Sequence, residues 1–373
     1  MKSGNVKILT FVESVNYGAL LQAFALRSFI GKLGYQCELI HYNNPKRKFS
    51  QVRGLRFIRS LIYYYTVAWL FRNRERLRKT NEFKKLQLGL NPAKMTSPAQ
   101  LASLNDTTDA YIVGSDQVWN PLNNADDDSY LLNFASADKK RIAYACSFGT
   151  RNIADEYLKR HSVDFGRFNH ISVRETSAQA QLKKTLELDS SVVVDPVFLF
   201  SKEEWMDFFP LKTPMMEGDY ILCYLLPGYP GVADKIYSVA NELSRKNHCR
   251  MIILGSKGYS ARRGGEILLK SAGPVDFLNL LFHAKCVVTN SFHGTCFSVI
   301  FHRMFYTVLP DSDAKSCDRN TRMTELLELL GLSKHLLHLS DENDGLPAFP
   351  EIGELFRRKI QESKDFIIHA LEE

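Results

Sequence analysis

Twice along this chain a short apolar run ends in small and polar residues and then turns into a helical stretch. The two runs are YIVGSDQVWN (Tyr111 to Asn120) and TNSFHG (Thr289 to Gly294), about half a chain apart. The same alternation surrounds both. Val6–Val12, Cys37–Tyr42, Tyr111–Val113, Ile142–Cys146, Ile171–Val173 and Val192–Val194 read as short buried strands, and a second series follows at Tyr220–Leu226, Met251–Leu254, Cys286–Thr289 and Met304–Leu309. Helical stretches separate them: Ala19–Leu33, closed by Gly34, then Val232–Asn247 and Val275–Ala284. Strands alternating with helices predict two doubly wound parallel sheets, and such sheets place ligand chemistry at the carboxyl ends of their strands.

At 373 residues the chain exceeds one typical core. The strand pattern lapses between Phe200 and Asp219, which predicts Rossmann-like domains at 1–200 and 201–373, with a cleft between them and a final amphipathic helix over Glu351–Glu373. The start of the chain lacks a small-residue cleavage site and is not expected to be a signal peptide. The longest apolar run, LIYYYTVAWLF from Leu61 to Phe71, is too short for a spanning helix, which needs about 20 residues. Seven scattered cysteines without a CxxC pair fit a reduced, cytoplasmic protein without structural zinc.

Charge is unevenly placed. Thirteen Lys or Arg and two Glu lie between Lys46 and Lys85, a surplus of +11 against +7 for the whole chain, which leaves −4 elsewhere. Eight aromatics share that segment, Tyr63, Tyr64, Tyr65, Trp69 and Phe71 among them. Such a stretch suits an anionic membrane surface or lipid phosphates. It suits equally a solvated insertion helix whose apolar side packs on the body. No nucleic-acid motif accompanies it, and no nucleic-acid partner is expected.

Neither GxGxxG nor a Walker A sequence is present, so dinucleotide and P-loop chemistry lack support. Asp126-Asp127-Asp128 and Asp311-Ser312-Asp313 fall in loops where acidic triplets are common, and no metal site is expected. His293 follows an apolar strand and opens a helical run beside Ser291, where backbone N–H groups favour an anion. An imidazole there can move a proton, or it can cap or pack. Arg174, at the end of ISV, suits bidentate recognition of phosphate or carboxylate, or a salt bridge with Glu175 or another acid. Asp116 and Gln117 can orient sugar hydroxyls or cap the next helix. Ser147, Phe148 and Gly149 end a strand in the same manner. Gly255-Ser256-Lys257-Gly258, with Arg262 and Arg263, is a nonspecific phosphate signal.

Six segments in order carry a resemblance: NYGALLQAFAL (Asn16 to Leu26), GSDQVWN, AYACSFG (Ala143 to Gly149), ISVRE (Ile171 to Glu175), VVDPVFL (Val193 to Leu199) and TNSFHGTCFSVIF (Thr289 to Phe301). Together they resemble the polysaccharide pyruvyl transferase family. The resemblance implies an α/β, GT-B-like fold and transfer of pyruvate from phosphoenolpyruvate to two hydroxyls of a sugar. The product is a cyclic ketal on a capsular, exopolysaccharide or cell-wall glycan, with the acceptor on a lipid-linked (polyprenyl pyrophosphate) precursor. No cofactor beyond the donor is implied. It assigns His293, Arg174 and Asp116 to catalysis. Donor binding would fall to Ser147, Gly149, Arg174, Lys257, Asn290, Ser291, Phe292, Gly294 and Arg322. Acceptor binding would fall to Asn16, Tyr17, Gly18, Gln117 and Trp119. The chain departs from the family pattern at Ser291, where relatives carry an Arg, and Lys257, Arg319 and Arg322 are candidates to supply that charge. A cytoplasmic enzyme, peripheral at the inner membrane face through 46–85, fits this reading. The competing readings are a GT-B nucleotide-sugar glycosyltransferase of the same pathway and a catalytically inactive scaffold of glycan assembly.

Overall fold

The computed structural model describes residues 4–43, 67–227, 231–255, 266–310, 320–343 and 345–373, and side chains are described from residue 73 in the helix that begins at 67. Lys257, Arg262, Arg263, Arg319, the Asp311-Ser312-Asp313 triplet and residues 46–66 of the basic segment lie outside the described residues.

The chain divides into two compact units. The first is Met1–Arg72, Thr80–Leu199 and Arg358–Glu373; the second is Asn73–Lys79 and Phe200–Arg357. This differs from the expected 1–200 and 201–373 in two exchanges. The end of the terminal helix clusters with the first unit because its apolar face is used there. Ile367 and Ala370 are buried, Phe366 packs on Tyr144, Ser363 Oγ accepts from Val194 N at 2.9 Å, and Leu371 O accepts from Lys140 Nζ at 3.0 Å. Residues 73–79 cluster with the second unit, where Lys79 pairs with Asp276 at 2.7 Å.

The first unit holds β1 (Asn5–Leu9), β2 (Gln36–Leu39), β3 (Ala110–Asp116), β4 (Lys140–Cys146), β5 (His170–Val173) and β6 (Ser191–Val192). They form one parallel sheet in the order β2-β1-β3-β4-β5-β6. β3 reads AYIVGSD and is buried until its last residue, as a central parallel strand covered on both faces must be. The second unit holds β7 (Tyr220–Leu225), β8 (Arg250–Gly255), β9 (Ile267–Leu269), β10 (Cys286–Thr289), β11 (Met304–Val308) and β12 (Leu336–Leu337). These pair in parallel in the order β9-β8-β7-β10-β11-β12, the strand order of a dinucleotide-binding sheet.

Eight helices of nine residues or more are described: α1 (Tyr17–Lys32), α2 (Val67–Leu86), α3 (Thr176–Leu186), α4 (Val232–Lys246), α5 (Pro274–His283), α6 (Phe292–Ile300), α7 (Thr321–Leu329) and α8 (Glu354–Glu372). α1 is buried almost all round for its first ten residues, so it lies between layers and not at the surface. The described end of the basic segment is α2. Its Phe83 is buried against Phe24, while Arg74, Arg78 and Lys85 face solvent. That end behaves as the packed insertion helix. None of the described helices is long and apolar enough to cross a membrane.

The strand-free stretch after Phe200 is ordered by a short helix, Lys202–Phe208. Ser201 and Glu204 cap it reciprocally, and buried Trp205 anchors it against Phe297.

Candidate functional site

In a doubly wound sheet the crevice opens where strand order reverses. In the first sheet that point lies between β1 and β3, and in the second between β7 and β10. Each motif singled out in the sequence ends one of these strands.

At the β1–β3 point a closed set of neutral hydrogen bonds ties three elements. Gln22 of α1 donates to Thr10 Oγ1 at 3.0 Å, Thr10 Oγ1 donates to Ser115 O at 3.1 Å, and Ser115 N donates to Gln22 Oε1 at 3.1 Å. Beyond it stands Asp116, at φ 75°, a left-handed conformation that Asp tolerates better than most side chains. Its backbone N donates to Ser115 Oγ at 2.5 Å.

Arg174 reaches this end from the residue after β5. Its Nη1 donates to Asp195 Oδ2 at 2.8 Å and its Nη2 to Asp116 Oδ1 at 3.4 Å. Asp195 also accepts from Ser115 Oγ at 3.1 Å and, through Oδ1, from Val197 N at 3.2 Å. The Arg174 side chain is 3% exposed, Asp195 0% and Asp116 18%. Burial opposes the guanidinium charge, but the Asp195, Asp116 and Glu175 carboxylates outweigh it and raise the pKa of Arg174 above its ordinary value. Of the two readings of Arg174, donor contact or salt bridge, the described contacts are those of a salt bridge: its fork faces carboxylates of the same unit.

The neighbouring strand end is joined to this one through the backbone. Ser147 N donates to Asp116 O at 3.0 Å, Trp119 N to Ser147 O at 3.3 Å, and Arg174 N to Cys146 O at 3.2 Å. Ser147 Oγ donates to buried Glu175 at 2.6 Å and accepts from Gly149 N at 3.0 Å. Gly149 sits at φ 68°, and a Cβ there would lie 2.2 Å from Gln117 Oε1, so a side chain would be strained and would displace Gln117. That Gln117 oxygen accepts from Asn120 at 2.9 Å and Asn123 at 2.6 Å.

Four of the residues named for the acceptor serve the fold in this unit. Trp119 is fully buried, donates to Tyr130 O at 3.1 Å, and packs on Phe148, Phe165 and Phe168, so it is a core residue. Tyr17 and Gly18 are buried in the first turn of α1. Asn16 caps that helix, its Oδ1 accepting from Gly18 N at 2.9 Å and Ala19 N at 3.4 Å. The Asp126-Asp127-Asp128 loop is used structurally: Arg160 grips Asp126 through two 2.7 Å bonds, and Asp127 accepts from Tyr42 OH at 2.8 Å. Among the described residues no group of three or more His, Cys, Asp or Glu is placed to hold a metal ion.

At the β7–β10 point the ties are neutral. Asn290 Oδ1 accepts from Leu226 N and its Nδ2 donates to Leu226 O, both at 2.8 Å, so one amide pins the two strand ends as a backbone pair would. Thr289 Oγ1 donates to Tyr224 O at 2.7 Å and accepts from Ser291 N at 3.0 Å. Ser291 is the N-cap of α6, with Oγ accepting from Gly294 N at 3.2 Å. A Cβ on Gly294 would meet Thr289 Oγ1 at 2.9 Å and Tyr224 at 3.1 Å, which lets the helix sit close on the sheet. His293 is buried in the first turn, its ring 5.3 Å from that of Phe292. Arg322 of α7 lies over the Phe292 ring, 5.6 Å from its centroid. This end thus gathers a helix N-terminus, an imidazole and a guanidinium, the elements of an anion site with a proton donor.

Asp195 is the residue that reading by position missed. It lies within VVDPVFL, and its signal there is an acid directly after a buried apolar run, where an unpaired charge would be costly.

Comparison with solved structures supports the architecture. A UDP-GlcNAc 2-epimerase from Methanocaldococcus jannaschii aligns over 100% of this chain and 99% of its own, at 11% identity and a TM-score of 0.52. The UDP-GlcNAc 2-epimerase of Neisseria meningitidis aligns over 99% of each chain, at 9% identity and a TM-score of 0.52. At these identities the likeness is one of fold, the GT-B fold. No curated protein sequence matches. Residues 16–312 match the family described as polysaccharide pyruvyl transferase, and since that span includes both strand-end motifs and most of the chain, the protein belongs to this family of transferases.

Proposed function

We propose that the protein transfers the pyruvyl group of phosphoenolpyruvate to two hydroxyls of one sugar, releasing phosphate and leaving a cyclic ketal on a capsular, exopolysaccharide or cell-wall glycan. The observation that carries this reading is the grouping at the β7–β10 point: His293 in the first turn of α6, with Arg322 over the adjacent Phe292. Phosphoenolpyruvate carries a phosphate and a carboxylate, so it needs cationic and N–H-rich contacts. Arg322 and the start of α6 are suited to supply them, in place of the Arg that Ser291 replaces.

In the reaction, His293 gives a proton to the methylene carbon of the donor, which becomes a methyl group and leaves C2 electron-poor. A sugar hydroxyl adds to C2 and loses its proton to water. The C2–O bond to phosphate then breaks, phosphate departs with the electron pair, and the second hydroxyl adds to C2 and closes the ring, its proton returning to the deprotonated His293. Arg322 stabilises the negative charge that gathers on the leaving phosphate. Glu175, Ser147, Gly149 and Gln117 keep the Asp116 strand end in shape and need not touch the donor. The basic segment supplies the contact with the inner membrane face, where a polyprenyl-linked acceptor would be presented.

The test is incubation with phosphoenolpyruvate and a panel of sugars carrying 4,6- or 3,4-diols, following phosphate release and the mass of the sugar. Phosphate release coupled to a pyruvylated sugar is expected. Transfer of a glycosyl group from a nucleotide sugar, with no use of phosphoenolpyruvate, would overturn the reading.

A further inference from the structure

Besides the residues at the two switch points, a second cluster of charged side chains stands in the loops that leave the carboxyl ends of β1 and β2. Glu13, after β1, is shared: its Oε1 meets Nε2 of His41, after β2, and its Oε2 accepts from Lys94 Nζ at 2.9 Å. The other ring nitrogen of His41 meets Asn91 O, and His41 O accepts from Met95 N at 2.9 Å, so the 91–95 stretch is fixed beside Glu13. Lys84 enters from the last turn of α2, the described end of the basic segment. It is half-buried, and the charges acting on it are Glu13 and Lys94. Burial pulls its pKa below the ordinary lysine value, Glu13 opposes this and Lys94 adds to it. Burial raises the pKa of Glu13 in turn, but Lys94, His41 and Lys84 outweigh it and hold the carboxyl below its ordinary value. Lys84 Nζ makes no hydrogen bond or ion pair among the described residues.

We propose that Lys84 and Lys94 form a subsite for the phosphate or diphosphate group of the acceptor. That the ligand is the acceptor rests on the transfer reading given above; the affinity of the two lysines for a phosphate group does not. Ammonium groups brought in from different elements repel each other unless an anion stands between them. Glu13 spends one oxygen on His41 and the other on Lys94, and does not close on Lys84. An ammonium carries three N–H donors and no fixed fork, so a pair of them suits a compact, multiply charged anion such as a phosphate. Open α/β sheets bind ligands outside the carboxyl ends of their strands, which is where this pair stands. A neutral sugar would need neither lysine, whereas a sugar carried on a phosphate or diphosphate is served by both. The basic segment thereby gains a second use, since its described end brings a cation to the sheet.

The experiment is lysine footprinting. The protein is acetylated with acetic anhydride, with and without inorganic pyrophosphate, and the rate at each lysine is read by mass spectrometry. At about ten times its Kd the anion leaves its site free about one-tenth of the time, so acetylation of Lys84 and Lys94 should slow roughly tenfold. Exposed Lys184 is the control and should react at an unchanged rate. In Lys84→Gln the protection of Lys94 should be lost, and in Lys84→Arg it should remain. Glucose 1-phosphate and vesicles of phosphatidylcholine with phosphatidic acid separate the two sources of the phosphate. Protection by the sugar phosphate supports the subsite. Protection by the vesicles alone, with neither soluble anion effective, would assign the lysines to a membrane surface and overturn it. Unchanged rates with pyrophosphate, equal slowing at Lys184, or protection of Lys94 that survives Lys84→Gln would also overturn it. No donor enters the assay, so a protein that transfers no pyruvyl group would leave this result standing. Equally, failure here would remove the subsite and leave pyruvyl transfer untouched.

Discussion

The two switch points stand at the same place in two sheets of related topology, and both are tied by neutral hydrogen bonds, but the first adds a buried ionic cluster. At β1–β3 the neutral Gln22–Thr10–Ser115 set is backed by ions, a buried guanidinium among Asp116, Asp195 and Glu175. At β7–β10 the described ties are the Asn290 amide on Leu226 and the Ser291 cap, and a charged side chain there, Arg322, rests on an aromatic face. The difference has a chemical consequence. An anionic donor gains nothing from a cation whose charge is already matched by carboxylates, whereas a helix N-terminus beside a guanidinium attracts it. A neutral sugar hydroxyl, in contrast, is well served by a carboxylate acceptor. Fold position alone does not assign a ligand; the charges at that position do.

The sharpest way to break this comparison is at His293. His293→Ala should lower kcat by about 10²–10⁴-fold, read as phosphate release in the presence of an acceptor. Turnover near that of the unaltered protein would remove the imidazole from the mechanism. Arg174→Ala tests the other end, where the effect should fall on stability. It strands a fully buried Asp195, so unfolding free energy should drop by about 3–5 kcal/mol in a denaturant titration. A weakened affinity for phosphoenolpyruvate in Arg174→Ala with stability intact would instead restore Arg174 as a donor contact. Asn290→Ala removes both bonds to Leu226 and should cost about 1–3 kcal/mol, since a backbone N–H and C=O lose their partner together. The smallest effect is expected for Ser291→Ala, about 1 kcal/mol from the lost cap of α6, measured as a lowered Tm. A larger loss of activity than of stability in that variant would show that the Ser291 hydroxyl also touches the donor.

Much of this arrangement was legible in the sequence. Central strands read as unbroken apolar runs because both their faces are buried, and β1, β3, β4, β7, β8, β10 and β11 were found that way. β9 (Ile267–Leu269) and β12 (Leu336–Leu337) were not, because edge strands of two or three residues carry no period. The amphipathy of the last helix was visible, but not its attachment: an apolar stripe says that a helix packs, and not on which unit. His293 and Ser291 were legible because strand, cap and helix follow one another directly. Arg174 was not decidable, since the acid that claims it, Asp195, lies 21 residues away in the chain and meets it only through sheet topology. Trp119 misled for a similar reason. An aromatic after a polar motif suggests stacking on a sugar, but the following loop folds over it, with Asn124 donating to Val118 O at 2.8 Å and Tyr130 O accepting from the indole.

The central claim, that an anionic three-carbon donor is held at the β7–β10 end, is tested most directly by thermal-shift titration. Phosphoenolpyruvate would be compared with UDP and UDP-sugars, in the unaltered protein and in Arg322→Ala. A ligand that binds only the native state adds about 2.7 kcal/mol at one hundred times its Kd. For a protein of this size that raises Tm by a few degrees. The account predicts a rise with phosphoenolpyruvate that Arg322→Ala largely removes, and no comparable rise with the uridine compounds. A rise with the uridine compounds alone, or one with phosphoenolpyruvate that Arg322→Ala leaves intact, would contradict it.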